Sequence, residues 1–246
     1  MNSANFRFFD DINFFLDKEQ QNIDINYSFD GNPSVKDCIE AIGVPHTEVE
    51  AICINNIYSN FNKKINNNDS INVYSYNSNI DLSNILELRP KIKEYKFIVD
   101  ANVGKVAKNL RMFGFDTYYD FDLPDKEIVN LAEREERIIL SRDWGLLKRK
   151  NAIWGYYPRA QTTDEQLSEI IKRFNLYDKF NPLSLCLECN GKINKIDKVE
   201  AQSNLDEGVL RDYDEFYKCN TCNKFFWKGS HYDKMLETIN KWKKDV

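Results

Sequence analysis

Phe97-Ile98-Val99-Asp100 and Ile138-Ile139-Leu140-Ser141-Arg142-Asp143 are the two stretches that decide how this chain of 246 residues is read. Each is a short apolar run, fit for a strand buried on both faces, and each ends in an aspartate. Between and after them the pattern alternates: a helix over 103–113, a strand over 117–119, a helix over 125–136, a strand over 152–157 and a helix over 164–174. Strands and helices in that order predict a parallel α/β sheet. Ligands of such a sheet gather at the carboxyl ends of its strands, so two carboxylates delivered there predict a divalent-cation site.

A third ligand is expected from the stretch Asp120-Phe121-Asp122-Leu123-Pro124-Asp125-Lys126-Glu127, which follows the second strand. Asp125 is the first choice, with Glu127 and Asp122 behind it; an Asp beside Pro at a helix start also serves as a cap, and both roles stay open. Such a cluster suits Mg2+ or Mn2+ and phosphodiester hydrolysis, in which the cation activates water and neutralises the departing oxygen. Lys105, Lys108 and Arg111 recur every third residue and share one arc of the helix, opposite Val106, Leu110 and Phe113. One face can pack while the other meets phosphate. From Ser141 to Arg159 the net charge is +4, with Trp144, Trp154, Tyr156 and Tyr157 interspersed. Those rings can stack on unpaired bases, although the core claims such residues more often. Arg142 either orients a phosphate or pairs within the acidic cluster. A phosphatase built on strand-Asp-x-Asp is excluded because position 102 is Asn.

Residues 1–88 carry five Lys/Arg against thirteen Asp/Glu, net −8, whereas 89–246 carry 29 against 26, net +3. That asymmetry suits separate domains, a solvated acidic face being the plainer cause. Alternation through Phe6-Arg7-Phe8-Phe9 and Ile23-Asp24-Ile25-Asn26-Tyr27 predicts a hairpin. Ser34 or Pro33 then opens a helix closed by Gly43, with Val35, Cys38, Ile39 and Ile42 inward, and strands follow over 49–54 and 71–76. The order resembles a ubiquitin-like β-grasp domain, 1–76. A sulfur carrier needs a free Gly-Gly terminus, and here Tyr76 continues into Asn77, so binding or packing is the expected role. A protein partner or gating of a basic surface would fit its charge. Residues 77–94 read as a linker, 95–181 as the α/β domain and 182–246 as a cysteine-bearing region ending in a helix over 232–242. No run is long and apolar enough for a membrane span and no secretory signal is evident, which predicts a cytoplasmic protein.

Cys186-Leu187-Glu188-Cys189 and Cys219-Asn220-Thr221-Cys222 are two C-x-x-C knuckles. Their spacing suits tetrahedral Zn2+ in a zinc ribbon, and four thiolates leave no open position, so this zinc is expected to be structural. Redox pairing is the lesser alternative. Gly191 and Asn223-Lys224 fit the knuckles' tight turns. Cys38 and Cys53 read as buried hydrophobes. Only two histidines, His46 and His231, are present, too few for a histidine-based metal centre or a two-histidine mechanism.

Residues 97–143 resemble the PIN-like nucleases, and 97–235 resemble the Mut-seven C-terminal RNase family. The matching residues include Val99-Asp100, Gly104-Lys105-Val106-Ala107-Lys108-Asn109-Leu110-Arg111, Gly114-Phe115-Asp116-Thr117, Asp125-Lys126-Glu127-Ile128, Leu140-Ser141-Arg142-Asp143 and Phe180-Asn181-Pro182. Cys186-Leu187-Glu188-Cys189-Asn190-Gly191 and the tail Trp227-Lys228-Gly229-Ser230-His231-Tyr232-Asp233 complete them, the tail being the most specific. Some bacterial members carry a ubiquitin-like domain in front, which fits residues 1–76. The resemblance implies RNA cleavage with a divalent metal at Asp100, Asp125 and Asp143, and zinc at the cysteines. Asn102 and Val103 depart from the small or apolar residues expected after Asp100. A non-catalytic RNA- or protein-binding module is the alternative function, but it leaves three acids idle.

Overall fold

Strand β1 (Asn2–Phe8) places Ala4, Phe6 and Phe8 in the core at every second position, the signature of a strand with one buried face. It pairs antiparallel with β2 (Ile25–Phe29). Helix α1 (Val35–Ile42) follows, started by a capping box in which the Ser34 hydroxyl accepts from the Asp37 N–H at 3.2 Å and Asp37 reaches back to Ser34. It stops at Gly43, whose φ of 141° only glycine adopts without strain. Strands β3 (Val49–Ile54), β4 (Ile57–Ser59) and β5 (Ser70–Ser75) complete a sheet of order β2-β1-β5-β3-β4, with β1 and β5 parallel at its centre. This is the expected β-grasp arrangement, in the computed structural model that describes residues 1–80 and 85–244. Residues 81–84 of the expected linker 77–94 lie outside the described residues.

Two local features differ from the sequence reading. The stretch between β1 and β2 is no simple polar turn: a 3-10 turn over Asp10–Phe15 buries Ile12 and Phe15, and Asn13 donates to the Phe8 carbonyl at 2.9 Å. Strand β4 is additional. It is formed by a two-residue hairpin at Asn55 and Asn56, both at positive φ (50° and 65°). Asn tolerates that region because its side chain bonds locally, which makes Asn-Asn a readable turn signal.

The chain continues through β6 (Phe97–Val99), α2 (Lys105–Met112), β7 (Thr117–Tyr119), α3 (Asp125–Glu135), β8 (Ile138–Leu140), α4 (Trp144–Leu147), β9 (Gly155–Tyr156) and α5 (Thr163–Arg173). β6 pairs parallel with β7, and β8 pairs parallel with β9. All three residues of β6 and of β8 are buried, as continuous Val/Ile/Leu/Phe runs require. The expected strand 152–157 shrinks to two residues, and α4 is a turn of helix that periodicity over so few residues does not reveal. The cysteine-bearing region forms a three-stranded antiparallel sheet, β10 (Ile193–Ile196), β11 (Phe216–Cys219) and β12 (Phe225–Trp227), with short helices α6 (Lys198–Gln202) and α7 (Glu207–Asp212) and a final α8 (Ser230–Lys244).

By contact density the chain divides into two compact units, Met1–Lys93 with Asp125–Tyr157, and Glu94–Pro124 with Pro158–Val246. In the first unit the β-grasp sheet is fastened to the 125–157 segment by buried polar contacts. Glu48, 2% exposed, accepts the Tyr157 N–H at 2.7 Å, and the His46 ring bridges Glu40 Oε1 (2.5 Å) and the Ala152 carbonyl (2.8 Å). Burial pushes the His46 pKa down, with the Glu40 carboxylate opposing. Phe14 and Phe15 meet Trp144 and Tyr157 at ring separations of 5.4–6.5 Å. Such aromatic contacts contribute about 0.5–1.5 kcal/mol each beyond their buried area. In the second unit Phe97 packs on Phe115 and Phe174, and Phe180 stacks on Phe113 at 4.7 Å with Trp242 against it.

Candidate functional site

The four cysteines converge. Their Sγ atoms all lie within 4.8 Å of one another, with Cys186 to Cys222 at 3.8 Å and Cys189 to Cys219 at 3.4 Å. Four thiolates around one zinc at about 2.3 Å would sit roughly 3.8 Å apart, so the donor set and its spacing could bind a metal such as zinc. The two knuckles are built alike. Cys186 and Cys219 donate their N–H groups to Gly191 and Lys224 carbonyls (2.7 and 2.9 Å), and accept at their own carbonyls from Asn190 and Asn223 (2.9 and 3.1 Å). Asn190 and Asn223 hold the left-handed φ of each turn, 67° and 60°. Gly191 is needed for a different reason: a Cβ there would lie 2.4 Å from Thr221 Oγ1 and 2.7 Å from Cys219 Sγ. The turn amides also tune the thiols. Burial alone raises Cys219, but N–H groups of Cys222 and Thr221 outweigh it and bring it to about 7. At Cys222 the Lys224 N–H lowers the pKa, while burial and the neighbouring thiols prevail and push it up to about 12.

Arg111 was expected on the RNA-facing side of α2, and the structure corrects that placement. It is 5% exposed; its Nε donates to the Thr117 carbonyl (2.9 Å) and its Nη1 to the carbonyls of Leu187 and Glu188 (3.0 and 2.8 Å) in the first knuckle. On a helical wheel position 111 lies about 40° beyond Ala107, and that buried alanine leaves room for a guanidinium beside the core. Burial lowers the Arg111 pKa, and the thiols of Cys186 and Cys189 and the carboxylates of Glu188 and Asp116 oppose it. Asn190 completes the attachment: its Nδ2 donates to Asp116 Oδ1 (2.6 Å) and its Oδ1 accepts the Thr117 N–H (2.9 Å). Lys105 and Lys108 remain exposed.

Asp100 and Asp143 stand just beyond strand ends, and Asp125 and Glu127 lie in the first turn of α3. In the second unit Asp100 directly follows β6, and the Asn102 amide donates to its Oδ2 at 2.6 Å. Asp122 lies in the same unit, exposed, after β7. In the first unit Asp143 follows β8 and caps α4, Oδ1 accepting from the N–H groups of Gly145 (2.7 Å) and Leu146 (3.2 Å). Asp143 Oδ2 accepts no hydrogen bond among the described residues. Asp125 opens α3 and meets Arg149 at 3.1 Å, and exposed Glu127 accepts from Asn130 at 3.4 Å. Arg142 places its guanidinium 5.8 Å from the Tyr157 ring. Tyr156 and Tyr157 belong to the core, and Trp154 lies under Arg89, whereas Trp144 keeps 38% of its surface exposed.

Residues 95–239, more than half of the chain, match the model of the Mut7-C RNAse domain. The chain belongs to the Mut7-C RNase family. Residues 1–81 match the Mut7-C ubiquitin domain, the arrangement the motifs implied. No curated relative and no solved structure matched the chain. The Mut7-C RNase match spans both knuckles and both aspartate-ended strands. Among the described residues no helix of this Mut7-C protein is long and apolar enough to cross a membrane. Sequence reasoning missed the roles of Arg111, Asn190, Glu48 and His46. Only Asn190 carried a signal, as an Asn-Gly after a knuckle, because the other three depend on carbonyls or amides far away in the chain.

Proposed function

We propose that this chain is a divalent-metal-dependent ribonuclease that hydrolyses RNA phosphodiester bonds. The match of residues 95–239 to an RNase family carries the reading. Asp100, Asp125 and Asp143 offer carboxylate oxygens, the donor type hard cations such as Mg2+ or Mn2+ prefer, with Glu127 and Asp122 in support. A cation held by these acids would supply water activation and neutralise charge at the departing oxygen. The chain's own groups prepare the acids. Asn102 fixes the Asp100 carboxylate, and the first turn of α4 fixes Asp143 by one oxygen while the other is left for a ligand. Capping and ligation are thus compatible at Asp143. Lys105, Lys108 and Arg142 serve as RNA phosphate contacts, and Arg111 instead secures the first knuckle.

The four cysteines hold a structural zinc, since a closed thiolate shell leaves no position for water. Reduced thiols in that role fit a cytoplasmic protein. The β-grasp sheet, packed on the segment that carries Asp143, holds that segment in place. Cleavage of single-stranded RNA with Mg2+ or Mn2+ tests the proposal. Asp100→Asn and Asp143→Asn should each lose about a hundredfold in kcat/KM, ~2.7 kcal/mol of transition-state stabilisation. Equal activity in both variants and the native protein removes the proposal.

A further inference from the structure

The tail motif Trp227 to Asp233 is the most specific stretch of the sequence, yet neither the acids nor the zinc uses it. In the second unit it borders a cavity of about 580 Å3. Tyr213, Tyr217, Phe226 and Trp227 line it, and Lys108, Lys224 and Lys228 stand on it with Glu188 as the acid. The lysines keep 44–61% of their side-chain surface in water. Lys108 and Lys224 share the single Glu188 (3.5 and 3.8 Å), and Lys228 pairs with Glu215. Exposed pairs of this kind are worth at most about 1 kcal/mol, so an arriving phosphate displaces them cheaply. Gly229 keeps the aromatic wall closed: a Cβ there would lie 3.0 Å from Trp227 Nε1 and 3.2 Å from Tyr213 Oη. Tyr213 and Trp227 stand 6.5 Å apart with planes tilted by 43°.

We infer that this groove is a second RNA site, which holds unpaired nucleotides by stacking bases on the aromatic wall while the three lysines meet the backbone. The inference rests on the ribonuclease reading for its choice of nucleic acid. Aromatic rings recognise the π-face of any base, but a duplex hides those faces between neighbouring pairs, so the groove takes single strands. Three cations against two carboxylates, Glu188 and Glu215, leave a positive excess that suits a phosphate backbone and disfavours an uncharged apolar peptide. The groove therefore retains substrate and favours unpaired RNA.

The test uses the full chain carrying Asp143→Asn, so that the probe survives, and a labelled single-stranded RNA of about ten nucleotides. Binding is followed by anisotropy across a salt series, with zinc content as the check on folding. Lys224→Gln with Lys228→Gln should weaken binding and flatten the log K against log salt slope by about 1.4, from roughly 0.7 per lost phosphate contact. Phe226→Leu should weaken it at least about fivefold, Trp227→Phe less, and a duplex of the same sequence should bind more weakly than the single strand. Unchanged affinity and slope in the lysine variant, with zinc retained, overturn the inference and leave the groove to a protein partner. The two readings fail separately. Cleavage by the native chain alongside unaltered binding by the groove variants sinks the groove alone, whereas groove-dependent binding without cleavage by the native chain sinks the nuclease alone.

Discussion

The four cysteines meet within one compact unit, whereas the three aspartates are shared between two: Asp100 lies in one, Asp125 and Asp143 in the other. Each cysteine pair is set by a four-residue turn whose hydrogen bonds are local, so spacing alone fixes where its thiols point. Asp100 and Asp143 follow strand ends and Asp125 opens α3, and each has acquired a partner: Asn102, the amides of α4 and Arg149 respectively. The geometry of a knuckle is therefore specified by the motif itself, whereas the acids take their side-chain contacts from the fold around them.

The difference can be broken most severely at the cysteines. Cys186→Ser with Cys219→Ser should release about one equivalent of metal and unfold the β10–β12 region, measured by metal analysis and by hydrogen exchange over 182–230. Retained zinc and unchanged protection would refute the ribbon. Acidification should act in the same direction. Binding needs thiolates, and the surroundings push the Cys222 thiol up to about 12 while the turn amides bring Cys219 to about 7. Zinc binding therefore releases protons, and affinity measured by chelator competition should fall as pH is lowered through neutrality.

Next in size is Arg111→Ala, which removes the donor from the buried Thr117 carbonyl and from two part-buried knuckle carbonyls and should destabilise the protein by about 3 kcal/mol. A denaturant titration reads this, and a stability change within error would return Arg111 to the surface role its spacing suggested. At Asp143 the two regions separate most clearly. Asp143→Asn keeps an acceptor for the α4 amides, so Tm should hardly move while cleavage falls. Asp143→Ala should add a capping loss of about 1 kcal/mol. Equal thermal stability of the Asn and Ala variants would mean that the cap contributes nothing.

Much of this was legible in the residues. Pro33 and Ser34 announced α1, Gly43 its end, and the alternation through β1 its buried face. The knuckle spacing announced the cysteine cluster. Arg111 was misplaced because a three-residue recurrence groups it with Lys105 and Lys108. Its burial follows from Ala107 beside it and from carbonyls at 187 and 188, some seventy-five residues away. Strand 152–157 was overread for a related reason: Trp154, Tyr156 and Tyr157 look like strand residues, but Tyr157 spends its amide on Glu48 rather than on a neighbouring strand.

By itself the sequence determined the pieces: a β-grasp order, parallel β-α units, two knuckles, and the family to which they belong. These depend on periodicity, caps and turns, interactions that span a few residues. Tertiary structure alone decided which polar side chains would be buried and what they would hold, as with Arg111 on the first knuckle and Glu48 and His46 on the 125–157 segment. A buried donor or acceptor must find a partner wherever the fold provides one, and that partner leaves no mark in the neighbouring sequence.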